Sequence, residues 1–236
     1  NYGNGNFGTE QIIISDADIL SSFNFADLDG DGDLDVLSAS WNGDKIAWYE
    51  NDGNGNFGEQ QVITTDADRV SSVYSADLDG DGKLDVLTAS RHADIIAWYK
   101  NNGNGNFGKQ QVITTNTKSV RLVSSVDLDE DGDMDILSAS SAYENKIAWH
   151  ENDGNGNFGE QQVITTDVFE VESIYHADLD GDGDLDVLSA SWYDDKIAWY
   201  ENLLFDDQDG IESLEKKGIT VYPNPTNGRV KIEFEN

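Results

Sequence analysis

The chain has no cysteine among its 236 residues, so no disulfide braces it and thiol chemistry is excluded. Metal ions are the staples left to it. Cations are scarce: 14 Lys and Arg stand against 47 Asp and Glu, a formal net charge of -33. A surface of that sign repels nucleic acid and anionic lipid, and neither is an expected partner. Histidine occurs three times, as His92, His150 and His176, each in a different sequence context. No recurring Ser/His/Asp or Cys/His arrangement can be assembled from these residues, so the chain is not expected to be an enzyme. No apolar run is long enough to span a bilayer, and membrane insertion is not expected. No signal peptide is visible, and the chain opens on Asn1 rather than Met. A chain that starts after processing, or a piece of a longer protein, is the expectation.

What is present is a repeat. Twenty of the 47 acidic residues lie in four copies of one loop: DLDGDGDLD (Asp27 to Asp35), DLDGDGKLD (Asp77 to Asp85), DLDEDGDMD (Asp127 to Asp135) and DLDGDGDLD (Asp178 to Asp186). Their first aspartates are 50, 50 and 51 residues apart. Carboxylates on alternate residues, with glycine at the sixth position, predict a Ca²⁺ loop. Hard oxygen ligands suit that ion, and the glycine allows the turn that brings them together. Four ions would cancel only eight of the 33 net negative charges. The fixed period assigns each loop to a repeated structural unit.

Each unit reads as four short strands. In the second unit, Val70 to Ala76 leads into the acidic loop. Leu84 to Ser90 follows, then Ile95 to Lys100, then Gln110 to Thr115 beyond the turn sequence NNGNGNFG. The runs are β-branched or aromatic, bounded by Gly, Asn and Asp, and none has helical period. Four strands per ~50 residues predict a β-propeller blade, so the fold class is all-β. The Asn-Gly pairs predict tight turns rather than a second metal loop, because uncharged Asn makes a poorer Ca²⁺ ligand than clustered carboxylates.

An EF-hand is the rival reading, and the strand-like flanks count against it. Its twelfth position needs a bidentate Glu, and Ser38, Thr88, Ser138 and Ser189 stand there instead. The carboxylate falls at the ninth position. The pattern D-x-D-x-D-G-x-x-D, with a Phe-Gly pair at Phe7, Phe57, Phe107 and Phe158, resembles the FG-GAP (VCBS-type) repeat of integrin α-subunit propellers and bacterial surface proteins. The resemblance covers about residues 1–202. It implies about four Ca²⁺ ions, held by side chains at positions one, three, five and nine and by the carbonyl at position seven. Those residues are Asp27, Asp29, Asp31, Asp33 and Asp35 in the first loop, and Asp77, Asp79, Asp81, Lys83 and Asp85 in the second. They are Asp127, Asp129, Asp131, Asp133 and Asp135 in the third, and Asp178, Asp180, Asp182, Asp184 and Asp186 in the fourth. Lys83 is expected to weaken its site. Propellers of this family usually have seven blades. Four visible units are compatible with a closed four-bladed ring, completed by Asn4 to Ser15, or with the end of a larger propeller.

Residues 203–217 read as a polar linker. Residues 218–236 hold both prolines, and VYPNPTNGRVKI there resembles the start of the C-terminal sorting domain of bacterial type IX secretion. That resemblance implies the type IX machinery as a partner of the full-length protein, and a secreted or bacterial cell-surface location.

Strand order puts the acidic loops and the NGNFG turns on one face. The loops between second and third strands, and the connections between units, lie on the other. The metal face is nearly identical from copy to copy, while the opposite face diverges. Trp48, Trp98, Trp149 and Trp199 recur in IAW and are expected in the core between blades. His150 stands where the other units have Tyr49, Tyr99 and Tyr200, and reads as a packing variant. Trp41, Arg91, His92, Tyr143, Trp192 and Tyr193 do not recur and are the candidate ligand contacts. Exposed aromatics stack on sugar rings or anchor protein partners. A binding or adhesion module for an extracellular glycan or protein is therefore expected. The alternatives are a polysaccharide-degrading enzyme or its accessory module on the same scaffold, and a structural spacer.

Overall fold

The computed structural model describes residues 7–15, 18–142 and 144–204. Tyr143, almost all of the 203–217 linker and the whole of 218–236 lie outside the described residues. The first sheet comprises β1 (Leu20–Ala26), β2 (Asp35–Ser40), β3 (Lys45–Tyr49) and β4 (Gln61–Thr64). The second comprises β5 (Val70–Ala76), β6 (Asp85–Ser90), β7 (Ile95–Asn101) and β8 (Phe107–Thr114). The third comprises β9 (Val120–Val126), β10 (Asp135–Ser140), β11 (Lys146–His150) and β12 (Gln162–Thr165), and the fourth comprises β13 (Val171–Ala177), β14 (Asp186–Ser191) and β15 (Lys196–Tyr200). Every sheet is an antiparallel meander in sequence order. The fold is the predicted all-β four-bladed propeller. The fourth blade has three strands among the described residues, and residues 7–15, the segment considered for its outer strand, form no strand.

The core lies between blades rather than within them. Leu37, Ala39, Ile46 and Trp48 of the first blade pack on Val70, Val73, Val86 and Tyr99 of the second. Leu87, Ala89, Ile96 and Trp98 meet Val120, Val123 and Ile136 in the same way, and Leu137, Ala139 and Ile147 meet Val168, Val171 and Val187. The second strands of the inner blades are therefore covered on both faces. That is why β6 and β10 read DVLTAS and DILSAS, with no solvent-facing position. Alternation within the second strands sends Leu37 and Ala39 toward the next blade. Val86, Ile136 and Val187 face the previous one.

Two polar devices join neighbouring blades. Each first strand carries a bulge near its start, between Leu20 and Ser22 in β1 and between Val70 and Ser72 in β5. The bulged residue is re-aimed across the gap. Ser21 Oγ donates to the Val70 carbonyl at 2.7 Å, and Ser71 Oγ donates to that of Val120 at 3.0 Å. At the third junction Arg121 occupies the bulge and pairs with Glu172. The second device is an asparagine at the end of the third strand in blades two to four. Asn101 Nδ2 donates to the carbonyl of Leu28, in the acidic loop of the preceding blade, at 2.7 Å. Asn152 and Asn202 repeat the bond to Leu78 and Leu128.

The end blades carry the uncovered faces. Ile46, Ile96 and Ile147 are fully buried, while their counterpart Ile197 is 84% exposed. Of the four tryptophans expected in the core, Trp48 and Trp98 are buried and Trp149 is partly buried, but Trp199 is 46% exposed. The cause is local. A Cβ on Gly105 would overlap the Trp48 ring, and one on Gly156 would overlap Trp98, so the lid of each tryptophan is the NGNFG turn of the following blade. No described turn follows Trp199. At the other end Phe23 and Phe25 of β1 are exposed and meet edge to face.

Candidate metal loops and a basic cleft

Three carboxylates converge in each acidic loop. Ligand oxygens of Asp27, Asp29 and Asp35 lie within 4.8 Å of one another, and the same holds for Asp77, Asp79 and Asp85 and for Asp127, Asp129 and Asp135. In the fourth loop the group is Asp178, Asp180 and Asp182. The fifth-position side chains of the first and third loops are not in these groups, and Asp31 and Asp131 each accept from the N–H two residues on, at 2.9 Å. Asp33 and Asp133, at the seventh position, lie against Gly53 and Gly154 of their own blade's NGNFG turn. Left-handed glycines shape the loop, with φ of 86° at Gly30 and 97° at Gly32. In the third loop Glu130 adopts the left-handed conformation that glycine takes in the others.

The ninth aspartate is the loop's anchor. Asp35 is fully buried; Oδ2 accepts from Leu28 N–H and Oδ1 from Asn51 N–H, both at 2.9 Å. Asp85, Asp135 and Asp186 repeat the pair of bonds. Burial pushes the Asp85 carboxyl up to about 7 and that of Asp135 up to about 6, against the lowering effect of these N–H donors. Burial also raises Asp29 and Asp129, with neighbouring carboxylates adding to the shift. Asp79 Oδ1 and Asp127 Oδ1 are buried with no hydrogen-bond partner. An all-oxygen, strongly anionic cluster with buried lone pairs left over fits a hard divalent cation, and the four groups can hold a metal ion.

The second loop departs from the others. Lys100 stands where the other blades have Glu50, Glu151 and Glu201. Its ammonium pairs with Asp79, and with Asp81 at 3.0 Å, while Lys83 pairs with Asp81 at 2.9 Å. Hydrogen bonding to Lys83 holds Asp81 down to about 2. Only the Lys83 part of this was legible as a weakened site; Lys100 is fifteen residues beyond the loop and comes back to it through the β6–β7 hairpin.

The NGNFG segments are turns. Asp52 Oδ1 accepts from the N–H groups of Asn54 and Asn56 while Oδ2 accepts from Asn56 Nδ2. These bonds lower its pKa and use its oxygens internally. Asp153 does the same.

On the opposite face the first two connections between blades hook onto the preceding blade's second loop. Asp44 Oδ1 accepts from Arg69 N–H at 2.8 Å, and Asp94 Oδ1 accepts from Ser119 N–H at 2.7 Å. Arg69 and Ser119 are left-handed, with φ of 48° and 58°. Sequence divergence concealed this shared element, because Asp44 and Asp94 are the last residues of loops that otherwise differ; at the third junction Asn145 Oδ1 is buried with no hydrogen-bond partner among the described residues.

Residues of these hooks help to line a cleft of about 510 Å³ formed by Trp41, Arg69, Arg91, His92, Asp94, Lys118 and Ser119. Three of the predicted ligand residues, Trp41, Arg91 and His92, thus share one site. The Arg69 guanidinium lies 5.9 Å from the centre of the Trp41 ring, within cation–π range. Arg91 Nε donates to Ser119 Oγ at 3.0 Å, and His92 Nδ1 lies 2.9 Å from Asp68 Oδ2. Trp192 and Tyr193 are not part of this cleft. Both are exposed on the fourth blade, where Tyr193 packs on Phe169 at 5.0 Å. Tyr143 lies outside the described residues. Arg69 and Lys118 were not singled out from sequence. Their signal was there: two cations in the connections TDADRV and TNTKSV of an otherwise acidic chain.

The remaining histidines are structural in their surroundings. His150 is buried with Nδ1 against the Gly159 carbonyl, and burial lowers its pKa. His176 stacks on Tyr175 and is likewise lowered by burial.

Comparison with known proteins fits this geometry. The FG-GAP-like repeat profile matches residues 27–88, 77–138 and 127–189, each match running from one acidic loop through the next. No curated protein sequence matches the chain. Among solved structures, an Agrocybe aegerita lectin described as recognising non-reducing terminal N-acetylglucosamine superposes with a TM-score of 0.53 at 21% identity, over 77% of this chain and 51% of the lectin. The chain thus spans about half the length of that lectin, and the likeness is one of fold. The V. cholerae biofilm matrix protein Bap1 superposes with a TM-score of 0.43 at 16% identity, over 78% of this chain and 31% of its own. Matched over most of its length by the repeat profile, with the acidic loops and interblade packing in register, the chain belongs to the FG-GAP-like repeat family.

Proposed function

We propose that the chain is a calcium-binding propeller module, secreted or held at a bacterial cell surface, that binds a glycan or protein through the face opposite its acidic loops. The observation that carries this reading is the contrast between the faces. One repeats an acidic oxygen cluster in every blade; the other gathers Trp41, Arg91 and His92 into a single cleft. The donor sets contain neither thiolate nor imidazole, which suits Ca²⁺ over softer metals. When bound, Ca²⁺ supplies positive charge to carboxylates that otherwise repel one another. The chain's own residues do the rest: Asp35, Asp85, Asp135 and Asp186 tie each loop to the end of its third strand, and in blades two to four the asparagine there ties it to the preceding blade.

A saccharide is the first ligand class to test, supported by the exposed aromatics and by the lectin of the same fold. Export by the type IX machinery is proposed for the full-length protein from residues 218–236. The test is binding of the Ca²⁺-loaded protein to arrayed glycans and extracellular proteins, with product analysis in parallel. Capture without product, lost in Trp41→Ala at unchanged Ca²⁺ content, supports the reading. New reducing or unsaturated sugar ends would overturn it in favour of a polysaccharide-degrading enzyme.

A further inference from the structure

We infer that the cleft bounded by Trp41, Arg69, Arg91 and Lys118 binds an acidic saccharide, a sugar chain bearing carboxylate or sulfate groups. The inference rests on the reading that this face is the ligand face, and adds the chemistry of the ligand.

The argument starts from where the cations are. Ten Lys and Arg fall among the described residues. Five of them, Lys83, Lys100, Arg121, Lys146 and Lys196, are ion-paired. In a chain with 47 acids and 14 bases, a cation readily finds a carboxylate. Arg69, Arg91 and Lys118 have no ion pair among the described residues, and they lie together in one cleft. They are drawn from three separate connections, so no single local sequence accounts for the grouping.

No carboxylate forms an ion pair with these cations among the described residues, although Asp94 lines the cleft. Asp94 and Asp44 accept from backbone N–H groups, of Ser119 and Arg69, and Asp68 is taken by His92. The one side-chain bond Arg91 makes, Nε to Ser119 Oγ, sets the guanidinium plane and leaves its terminal nitrogens with no acceptor among the described residues. A planar guanidinium with free donors matches a carboxylate or sulfate in bidentate fashion. Trp41 supplies a partly exposed ring beside these cations, the element that a saccharide uses and an acidic peptide does not require. The remaining net negative charge repels polyanions at long range, but screening limits that field to about 8 Å at physiological salt, so short-range contacts in the cleft decide.

The test is titration calorimetry of the Ca²⁺-loaded full chain at 150 mM salt. The probes are oligogalacturonate, a sulfated oligosaccharide, a neutral N-acetylglucosamine oligomer and oligoglutamate. Oligogalacturonate or the sulfated sugar should bind, and the comparison of the two assigns the anionic group. Arg91→Gln and Lys118→Gln should each weaken binding about tenfold or more, and Arg91→Glu should abolish it. Arg121→Gln, at an ion-paired arginine, should leave it unchanged. Melting temperature and Ca²⁺ stoichiometry should hold in the Arg91 and Lys118 variants, since neither residue makes an ion pair. Binding that survives Arg91→Glu would place the sugar on bound Ca²⁺ and overturn the inference. Neutral sugar binding that depends on Trp41 but not on Arg91 would overturn it while sparing the ligand-face reading. Preference for oligoglutamate would overturn the saccharide class, and no binding by any probe would overturn the inference.

Discussion

Asn101→Ala and Asn51→Ala remove the same motif residue from two blades, and only one of the two has a preceding blade to hold. Asn101 is buried. Its Nδ2 donates to Leu28 O at 2.7 Å across the blade junction and to Leu84 O at 3.0 Å, and its Oδ1 accepts from Gly103 N–H at 2.9 Å. Asn51 is half-buried and makes only bonds within its own blade, to Leu34 O and from Gly53 and Gly55 N–H. Truncating Asn51 gives up bonds that water can replace, a loss of about 0.5–1.5 kcal/mol. Truncating Asn101 also strands the carbonyl of buried Leu28, and an unsatisfied buried acceptor costs about 1–3 kcal/mol. Asn101→Ala should therefore cost about 1–3 kcal/mol more than Asn51→Ala. Urea unfolding in saturating Ca²⁺, followed by tryptophan fluorescence and compared by midpoint at equal slope, measures the difference. Leu28 also donates its N–H to Asp35, so the first metal loop shares backbone with the junction. Asn101→Ala should lower the Ca²⁺ affinity of the first loop, not only that of its own. Equal midpoint shifts in the two variants would refute the interblade role of the asparagine.

Chelation should lower the melting temperature by many degrees, since sites of about 10⁻⁴ M each gain about 1.4 kcal/mol from 1 mM Ca²⁺; an unchanged melting curve in chelator would refute the metal loops. In chelator the pH dependence follows from Asp85, pushed up to about 7, and Asp135, pushed up to about 6. Native carboxyls then bind protons that the unfolded chain has released, so stability from these groups should fall as pH rises from about 4 to 7, and Ca²⁺ affinity should rise over the same range; urea midpoints at several pH values read the slope, and a rising midpoint would refute it. Lys100→Glu frees Asp79 and Asp81 from an ammonium and restores the residue found in the other blades; it should tighten the second loop roughly tenfold without changing ion stoichiometry, by Ca²⁺ titration. Trp98→Ala should cost about 3–5 kcal/mol, whereas Trp199→Ala, at a half-exposed ring, should cost well under half of that; equal losses would refute the role of the following blade's turn as the lid.

The repeat, the strand order and the converging aspartates are all local in sequence. A nine-residue loop carries its own carboxylates and its own glycine turn, and strands of four to eight residues carry their own β-branched runs. The chain read by itself therefore determined the all-β blade, the blade boundaries and the positions of the acidic loops. What it left open lies across larger separations. Trp48 and Trp199 have the same neighbours in sequence, yet one is buried and the other half-exposed, because the cover is a turn from the next blade rather than anything in IAW. Lys100 looks like an ordinary strand-end charge until the hairpin returns it to Asp79. Arg69, Arg91 and Lys118 sit 22 and 27 residues apart, and only the stacking of sheets brings them together beside Trp41. Burial and charge proximity are sums over neighbouring blades, and periodicity within one blade does not contain them.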